Sequence, residues 1–116
     1  MQRALALLSL GAVLAFASAP SLASGNAADG KTKAAACFAC HGADGNSVDP
    51  QYPRLAGQYN EYLQQVLREY KNGERSNPIM KGMVATLSDQ DIEDISAYFS
   101  SQPTKLDTLK GHVQGD

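Results

Sequence analysis

The sequence of 116 residues has no tryptophan, only two cysteines and two histidines, and no run of basic residues. Its formal charge is −2 at pH 7, which argues against nucleic acid or an anionic membrane surface as the main partner. No internal repeat and no alternating strand pattern is present. The length suits one domain. We therefore expect a single small helical domain that does not bind nucleic acid.

One long apolar run, residues 4–19, lies at the start of the chain and has the features of an export signal. Arg3 precedes it, and Ser21 and Ala23 supply the small residues required before a cut after Ala23. A cut four residues earlier also meets this requirement, but it would leave a proline at the new N-terminus. A membrane anchor is the weaker alternative, because the run is shorter than the roughly 20 residues that cross a bilayer. We predict a cleaved signal over 1–23, a periplasmic location and no stable membrane insertion.

Three segments of the remaining chain carry helix signals. In residues 25–40, Asn26 is a suitable N-cap ahead of alanines and lysines, which are good helix formers. In residues 58–72, apolar side chains recur at intervals of three and four, and a glycine closes the pattern. The last helix begins with Ser88 as N-cap and Asp91 three residues later, as in a capping box. These signals predict a domain of three main helices.

Two segments between these helices are rich in turn-forming residues. Residues 42–57 and 74–87 contain most of the glycines and prolines of the domain, and we predict a loop for each. We divide the chain into a signal over 1–23, one domain over 24–102 and a polar, flexible tail over 103–116. The apolar core of so small a domain provides only marginal stability by itself. We therefore expect a buried cofactor, or another cross-link, to stabilise the domain.

The run Cys37-Phe38-Ala39-Cys40-His41 carries the chemistry. Its two thiols lie on one helical turn, at a spacing that lets them add to the two vinyl groups of one haem. The histidine that follows directly is then brought under the ring, where its imidazole reaches the iron. Export strengthens this interpretation, because haem attachment of this kind takes place outside the cytoplasm. We expect Cys37 and Cys40 to hold one haem c covalently, with His41 as an axial ligand.

Two other types of site use cysteines at this spacing. A thioredoxin-like redox pair requires a strand before it and a sheet around it, and the sequence predicts neither. A structural zinc site needs about four ligands, and beyond Cys37, Cys40 and His41 only His112 in the polar tail is of the usual kind. We consider both much less favoured than haem attachment.

An electron carrier needs a second axial ligand that closes the iron to oxygen and water. Methionine is the natural choice, because a thioether opposite histidine favours ferrous iron and raises the reduction potential. Once the signal is removed, two methionines remain, Met80 and Met83. Either could also be a core residue that fills gaps with its flexible side chain.

The attachment run and the segments after it resemble the class I cytochromes c, and most closely the periplasmic haem domains of the c-four group. The resemblance extends to Gln102. It rests on HGADGN over 41–46, YPRLAGQ over 52–58, MKGM over 80–83 and the stretch 87–99, which begins LSDQD and ends AYF. The resemblance implies an all-α class I cytochrome c fold, in which three main helices and loops surround one covalently bound haem.

The resemblance also assigns residues around the haem. It places the axial methionine at Met80 and makes Met83 a core residue near the haem. It gives Pro53 a carbonyl that accepts the second imidazole proton of His41, which orients the ring. Two further side chains, Arg54 and Gln58, become weaker candidates as neighbours of the haem propionates.

The resemblance makes Gly30 the position at which the first helix crosses closely under Tyr98 of the last. Two-haem members of the group carry a second attachment run, which this sequence lacks, so we expect one haem. An apolar shell is expected to surround the iron. Its predicted members are Phe38, Leu55, Tyr62, Leu63, Leu67, Ile95 and Phe99.

These features predict an electron-transfer protein and not an enzyme. One electron would enter and leave through the exposed haem edge, with redox proteins as donor and acceptor: an oxidase, a reductase or a cytochrome complex. One alternative is a haem subunit of a larger oxidoreductase complex. Another is a haem protein that reacts with gases or peroxide, although the sequence offers no catalytic distal base.

Overall fold

The structure is a computed structural model that describes residues 25–105. The predicted signal over 1–23, most of the predicted tail and His112 lie outside the described residues. Between residues 25 and 105 the chain is helical and contains no strand. No helix in this part of the chain is long and apolar enough to cross a membrane.

The described chain contains five α-helices and one 3-10 helix. Helix α1 passes through the 3-10 helix directly into α2, so the attachment run lies on continuous helical structure. The bounds are Ala27–Lys33 (α1), Ala34–Cys37 (3-10), Phe38–His41 (α2), Asn60–Asn72 (α3), Pro78–Val84 (α4) and Asp89–Ser100 (α5).

The predicted ends of the three main helices are confirmed. The side chain of Asn26 accepts hydrogen bonds from the backbone N–H groups of Ala28 and Asp29, at 2.9 and 3.3 Å. Helix α3 ends at Gly73 in the left-handed conformation, with φ of 88°, which a residue with a side chain rarely adopts. Ser88 and Asp91 form the predicted capping box at the start of α5.

The prediction of an unbroken loop over 74–87 is wrong, because the short helix α4 lies within it. The side chain of Asn77 caps this helix by accepting from the N–H groups of Ile79 and Met80, at 3.0 and 3.1 Å. Pro78 occupies the first helical turn, where its missing N–H costs nothing and its fixed φ favours helix. The residues interpreted as turn formers therefore start a helix, and that helix carries both methionines.

Helices α1 and α5 cross at Gly30, as the resemblance implied. A Cβ atom at Gly30 would lie 1.9 Å from the carbonyl oxygen of Asp94 and 2.9 Å from Cβ of Tyr98. The two backbones can approach this closely only because the residue is glycine. The crossing fixes α1, and hence the attachment run that follows it, relative to α5.

We expect Gly30→Ala to destabilise the protein by about 3 kcal/mol or more, because the helices must separate to admit the methyl group. Gly82→Ala is the control, since a Cβ there meets nothing within 4 Å. Alanine at that helical position is expected to be neutral or to stabilise by up to about 1 kcal/mol. Chemical denaturation of both variants measures the difference. Equal stabilities would contradict the tight crossing.

The hydrophobic core lies between α3, α5 and the first helical segment, formed by α1 and the 3-10 helix that continues it. Its buried members are Ala34, Leu63, Ile95, Tyr98 and Phe99. Helix α4 is peripheral: it packs on α3, and Val84 is its one buried residue. The side of α3 and α5 that faces α2 and α4 therefore remains available for a bound group.

A buried carboxylate joins α1 to α5. Asp94 is only 2% exposed and accepts hydrogen bonds from the backbone N–H of Asn26, Nζ of Lys33 and Nε2 of Gln90, at 2.7, 2.6 and 2.9 Å. Burial alone would raise its pKa, and it is the largest single influence. The three hydrogen bonds, led by that of Lys33, together outweigh burial and hold the pKa of Asp94 below its ordinary value.

The lowered pKa means that the ionised form of Asp94 stabilises the fold. This contribution is present above the unfolded-state pKa of about 4 and disappears as the pH falls toward the folded-state pKa. We expect Asp94→Asn to cost about 2 kcal/mol at pH 7, with the difference from wild type shrinking below pH 4. Urea denaturation from pH 3 to 7 measures it, with Asp29→Asn as an exposed control. A difference that does not change with pH would contradict this account.

The first residues of the predicted tail lie against the domain. The side-chain amide of buried Asn46 donates to the carbonyl of Pro103 at 2.9 Å and accepts from the N–H of Lys105 at 2.7 Å. Lys105 also pairs with Asp44 at 3.2 Å. Residues 103–105 are thus held at the loop that follows the attachment run.

Candidate cofactor site

A cavity of about 410 Å³ lies between the attachment run, α3, α4 and α5. This volume falls in the range of cofactor and ligand pockets. Its wall brings together the residues that were predicted from the sequence to attach the haem, ligate its iron, orient His41 or contact the propionates. These are Cys37, Cys40, His41, Pro53, Arg54, Gln58 and Met80, together with the second methionine, Met83.

His41 is the last residue of α2 and is only 6% exposed. Its Nδ1 lies 2.8 Å from the carbonyl oxygen of Pro53. A carbonyl can only accept a hydrogen bond, so Nδ1 carries the proton and donates it, which leaves the lone pair of the neutral ring on Nε2. The ring is therefore oriented, and its free nitrogen is in the form that coordinates a metal.

Cys37 and Cys40 are both half-buried free thiols. Burial raises the pKa of the Cys37 thiol, with a smaller contribution from Cys40, so Cys37 is neutral at pH 7. In residues 25–105 no three His, Cys, Asp or Glu side chains are grouped so that they could hold a metal ion themselves. Both thiols lie in the cavity wall, at a spacing that suits attachment of a larger group there.

Both methionines reach the cavity from α4. They lie three positions apart and so share one face of the helix. Met80 is half-buried, whereas Met83 is 41% exposed. The cavity therefore has an imidazole and two thioethers in its wall, and the choice of Met80 over Met83 stays a prediction.

Most of the predicted apolar shell lines the cavity, but Phe38 does not. The lining members are Leu55, Tyr62, Leu63, Leu67, Ile95 and Phe99. The ring centre of Phe38 lies 6.0 Å from that of Tyr98 and 6.3 Å from that of Phe99, in the core beside α5. Cys37, Cys40 and His41 share one helical face, and Phe38 points about 100° away from it. Its prediction as a shell residue was wrong.

The sequence analysis missed several residues of the wall. Arg75 lines the cavity, so two arginines and no carboxylate face it. Tyr52 packs edge-on to His41, with ring centres 6.3 Å apart. Ser96 also lines the cavity, and its hydroxyl is fully buried with no hydrogen-bond partner in the described chain. One feature of the sequence could have indicated that Arg75 reaches the wall. Gly73 turns the chain after α3, two residues before Arg75.

The residues present fit a haem. The wall is largely apolar, as a porphyrin requires, and Arg54 suits a group that carries carboxylates. Two thiols at the C-x-x-C-H spacing and an oriented imidazole supply the attachment points and one iron ligand. A helical domain with such a site is a c-type haem protein. The chain belongs to the cytochrome c family, whose model, described as Cytochrome c, matches residues 27–103.

Three relatives illustrate the similarity. Cytochrome c4 of Pseudomonas aeruginosa is 54% identical over 80 residues, which cover 69% of this chain and 40% of that protein. Cytochrome c-554(548) of Halomonas halodenitrificans is 46% identical over 81 residues, covering 67% and 98%. A thiosulfate dehydrogenase electron acceptor of Thiomonas intermedia is 43% identical over 122 residues, covering 100% and 54%.

The fold matches a solved structure, that of reduced recombinant cytochrome c4 from Pseudomonas stutzeri. The TM-score is 0.68 and the identity 47%, over 71% of this chain and 48% of that one. The chain therefore has the class I cytochrome c fold and resembles one domain of the c4 group. It spans about two fifths of the length of the first cytochrome c4 relative.

Proposed function

We propose that this protein is a periplasmic carrier of single electrons, with one haem c whose iron is held by His41 and Met80. The observation that carries the proposal is the cavity itself. It joins the two cysteines, an imidazole fixed at 2.8 Å by the Pro53 carbonyl, and the α4 methionines in one apolar wall. The predicted signal supports the periplasmic location.

The bound haem would supply a one-electron couple, and the chain's residues would set its properties. Cys37 and Cys40 hold it covalently, so it cannot exchange. His41 keeps its orientation by donating from Nδ1 to Pro53, which also makes the coordinating nitrogen more basic. The Met80 thioether favours the ferrous state, and the apolar wall lowers the local polarity. Arg54 and Gln58 line the cavity, where they would stabilise carboxylates of the bound group.

The partners would be other redox proteins, a donor on one side and an oxidase, reductase or cytochrome complex on the other. Electron transfer needs no substrate pocket and no bond making, so such encounters are small and transient. The relative from Halomonas halodenitrificans, which is named a cytochrome and is matched over 98% of its length, supports a carrier function for this domain.

A second candidate is a haem subunit of a larger oxidoreductase complex. The observation that favours it is the 43% identity to a protein named as an electron acceptor of thiosulfate dehydrogenase. Size-exclusion chromatography of the protein from its native source separates the two. A free carrier elutes at its monomer size, whereas a subunit elutes together with its complex.

The proposal of one covalent haem is tested on protein exported to the periplasm in a host that matures c-type cytochromes. We expect the mass of the denatured polypeptide to exceed that of the mature chain by one haem. Mass spectrometry in acid gives this directly, because a non-covalent haem is lost there. A denatured chain without added mass would overturn the proposal.

A further inference from the structure

Helix α4 carries both methionines but buries little of itself. Val84 is its one buried residue, and α3 is its main packing partner. Side chains tie the segment to α3 at both ends. After α4, the carbonyl of Leu87 accepts a hydrogen bond from Nζ of Lys71. Before α4, the contacts with α3 are made by Arg75.

Arg75 contacts α3 through both its backbone and its side chain. Its backbone N–H donates to the carbonyl of Glu69 at 3.0 Å, and its Nη1 lies 3.7 Å from the Glu69 carboxylate. The guanidinium carbon lies 5.4 Å from the centre of the Tyr70 ring. The neighbouring Tyr70, and to a smaller extent Tyr62, raises the pKa of Arg75 above its ordinary value, so the group stays charged. The side chain is thus held by one helix while it lines the cavity.

We propose that Arg75 is a positioning residue that holds the start of α4 against α3 and thereby keeps Met80 at the cavity. The proposal rests on the proposed function, because it takes Met80 as the axial ligand. Arg75 stands two residues before the Asn77 cap, so its contacts fix the point at which α4 begins. Its charge is already paired with Glu69 and stacked on Tyr70, which favours this role over direct binding of an anionic group in the cavity.

Loss of the contacts between Arg75 and α3 should let α4 separate from α3 more often without unfolding the domain. A partly exposed ion pair and a cation–π contact are each modest, so together we expect them to change the opening of α4 by about tenfold. The hydrophobic core does not include Arg75. Opening should therefore expose the sixth iron position while α5 keeps its protection.

Three variants of the haem-loaded protein test this role. Arg75→Gln removes the charge and the stacking, and Glu69→Gln weakens the tie with a residue that does not line the cavity. The control, Lys81→Gln, removes one positive charge from α4 itself. The readouts are hydrogen exchange of the α4 and α5 amides and the rate at which the ferrous protein binds carbon monoxide.

We expect α4 exchange and carbon monoxide binding to be about tenfold faster in Arg75→Gln, and faster by a smaller factor in Glu69→Gln. Exchange in α5, and both readouts in Lys81→Gln, should match wild type. Unchanged α4 exchange in Arg75→Gln would overturn the proposal. So would equal acceleration in α4 and α5, which means general destabilisation. A wild-type response of Glu69→Gln beside an altered Arg75→Gln would show that Arg75 binds the haem directly.

The two proposals fail in different ways. If the wild-type ferrous protein binds carbon monoxide readily, Met80 is not a firm ligand and the proposed function is wrong in that respect. The hydrogen-exchange comparison of α4 between wild type and Arg75→Gln is independent of the ligand and still decides whether Arg75 holds the helix.

Discussion

Met80→Ala is expected to abolish methionine ligation of the iron. The ferric protein should lose the absorption band that arises from sulfur-to-iron charge transfer, because alanine offers no donor. The reduction potential should fall by on the order of 0.1 V, a part of the roughly 0.8 V range that axial ligands control, since the thioether favours ferrous iron. Visible spectroscopy and a redox titration measure both effects.

Met83→Ala is the matched control for this assignment. Met83 lies on the same face of α4 and also lines the cavity, so its removal alters packing by a similar amount. We expect the charge-transfer band to persist and the potential to change little. Loss of the band in Met83→Ala together with its retention in Met80→Ala would reverse the assignment.

The second large effect is expected from the double variant Cys37→Ser, Cys40→Ser, which cannot hold the haem covalently. An unfilled cavity of about 410 Å³, at about 24 cal/mol per Å³, would cost at most on the order of 10 kcal/mol. That is comparable to the whole stability of a small domain, roughly 5–15 kcal/mol. We expect the variant to lose most of its helical circular dichroism and to be degraded readily by protease.

Single variants provide the control for the double one. Cys37→Ser and Cys40→Ser each keep one possible thioether, and we expect both to retain haem and helical structure with reduced stability. A double variant with the helix content and denaturation midpoint of the wild type would contradict the view that the haem completes the core.

Local signals in the sequence were sufficient for the caps of the main helices, and they carry the prediction of the attachment site. Asn26, Gly73 and the pair Ser88 and Asp91 act within a few residues of themselves, so their hydrogen bonds follow from the order of residues alone. The crossing at Gly30 joins distant helices and was available only through the resemblance to the cytochromes.

Other features depend on geometry that the sequence does not display. Asn77 and Pro78 favour a turn and a helix start equally well, and the structure uses them to begin α4. Arg75 reaches the cavity because Gly73 turns the chain back over Glu69, which no periodic pattern indicates. Phe38 belongs to the attachment run, yet its helical position directs it to the core beside α5.

The two sides of the site differ in how firmly the surrounding structure holds them. The imidazole side is rigid, because His41 is buried at the end of α2 and held by Pro53. The thioether side is carried by the peripheral helix α4, which the contacts of Arg75 and Lys71 tie to α3. We expect changes in ligation to begin on the α4 side.

The most direct test of a closed electron-transfer site is the absorption spectrum of the reduced, periplasmically expressed protein before and after addition of carbon monoxide. The account predicts a low-spin haem c spectrum that carbon monoxide leaves unchanged on the timescale at which an open site reacts, because His41 and Met80 fill both axial positions and binding must wait for the slow opening of α4. A clear spectral shift on addition of the gas would contradict the account and indicate an open site, as in a gas-reactive or peroxide-reactive haem protein.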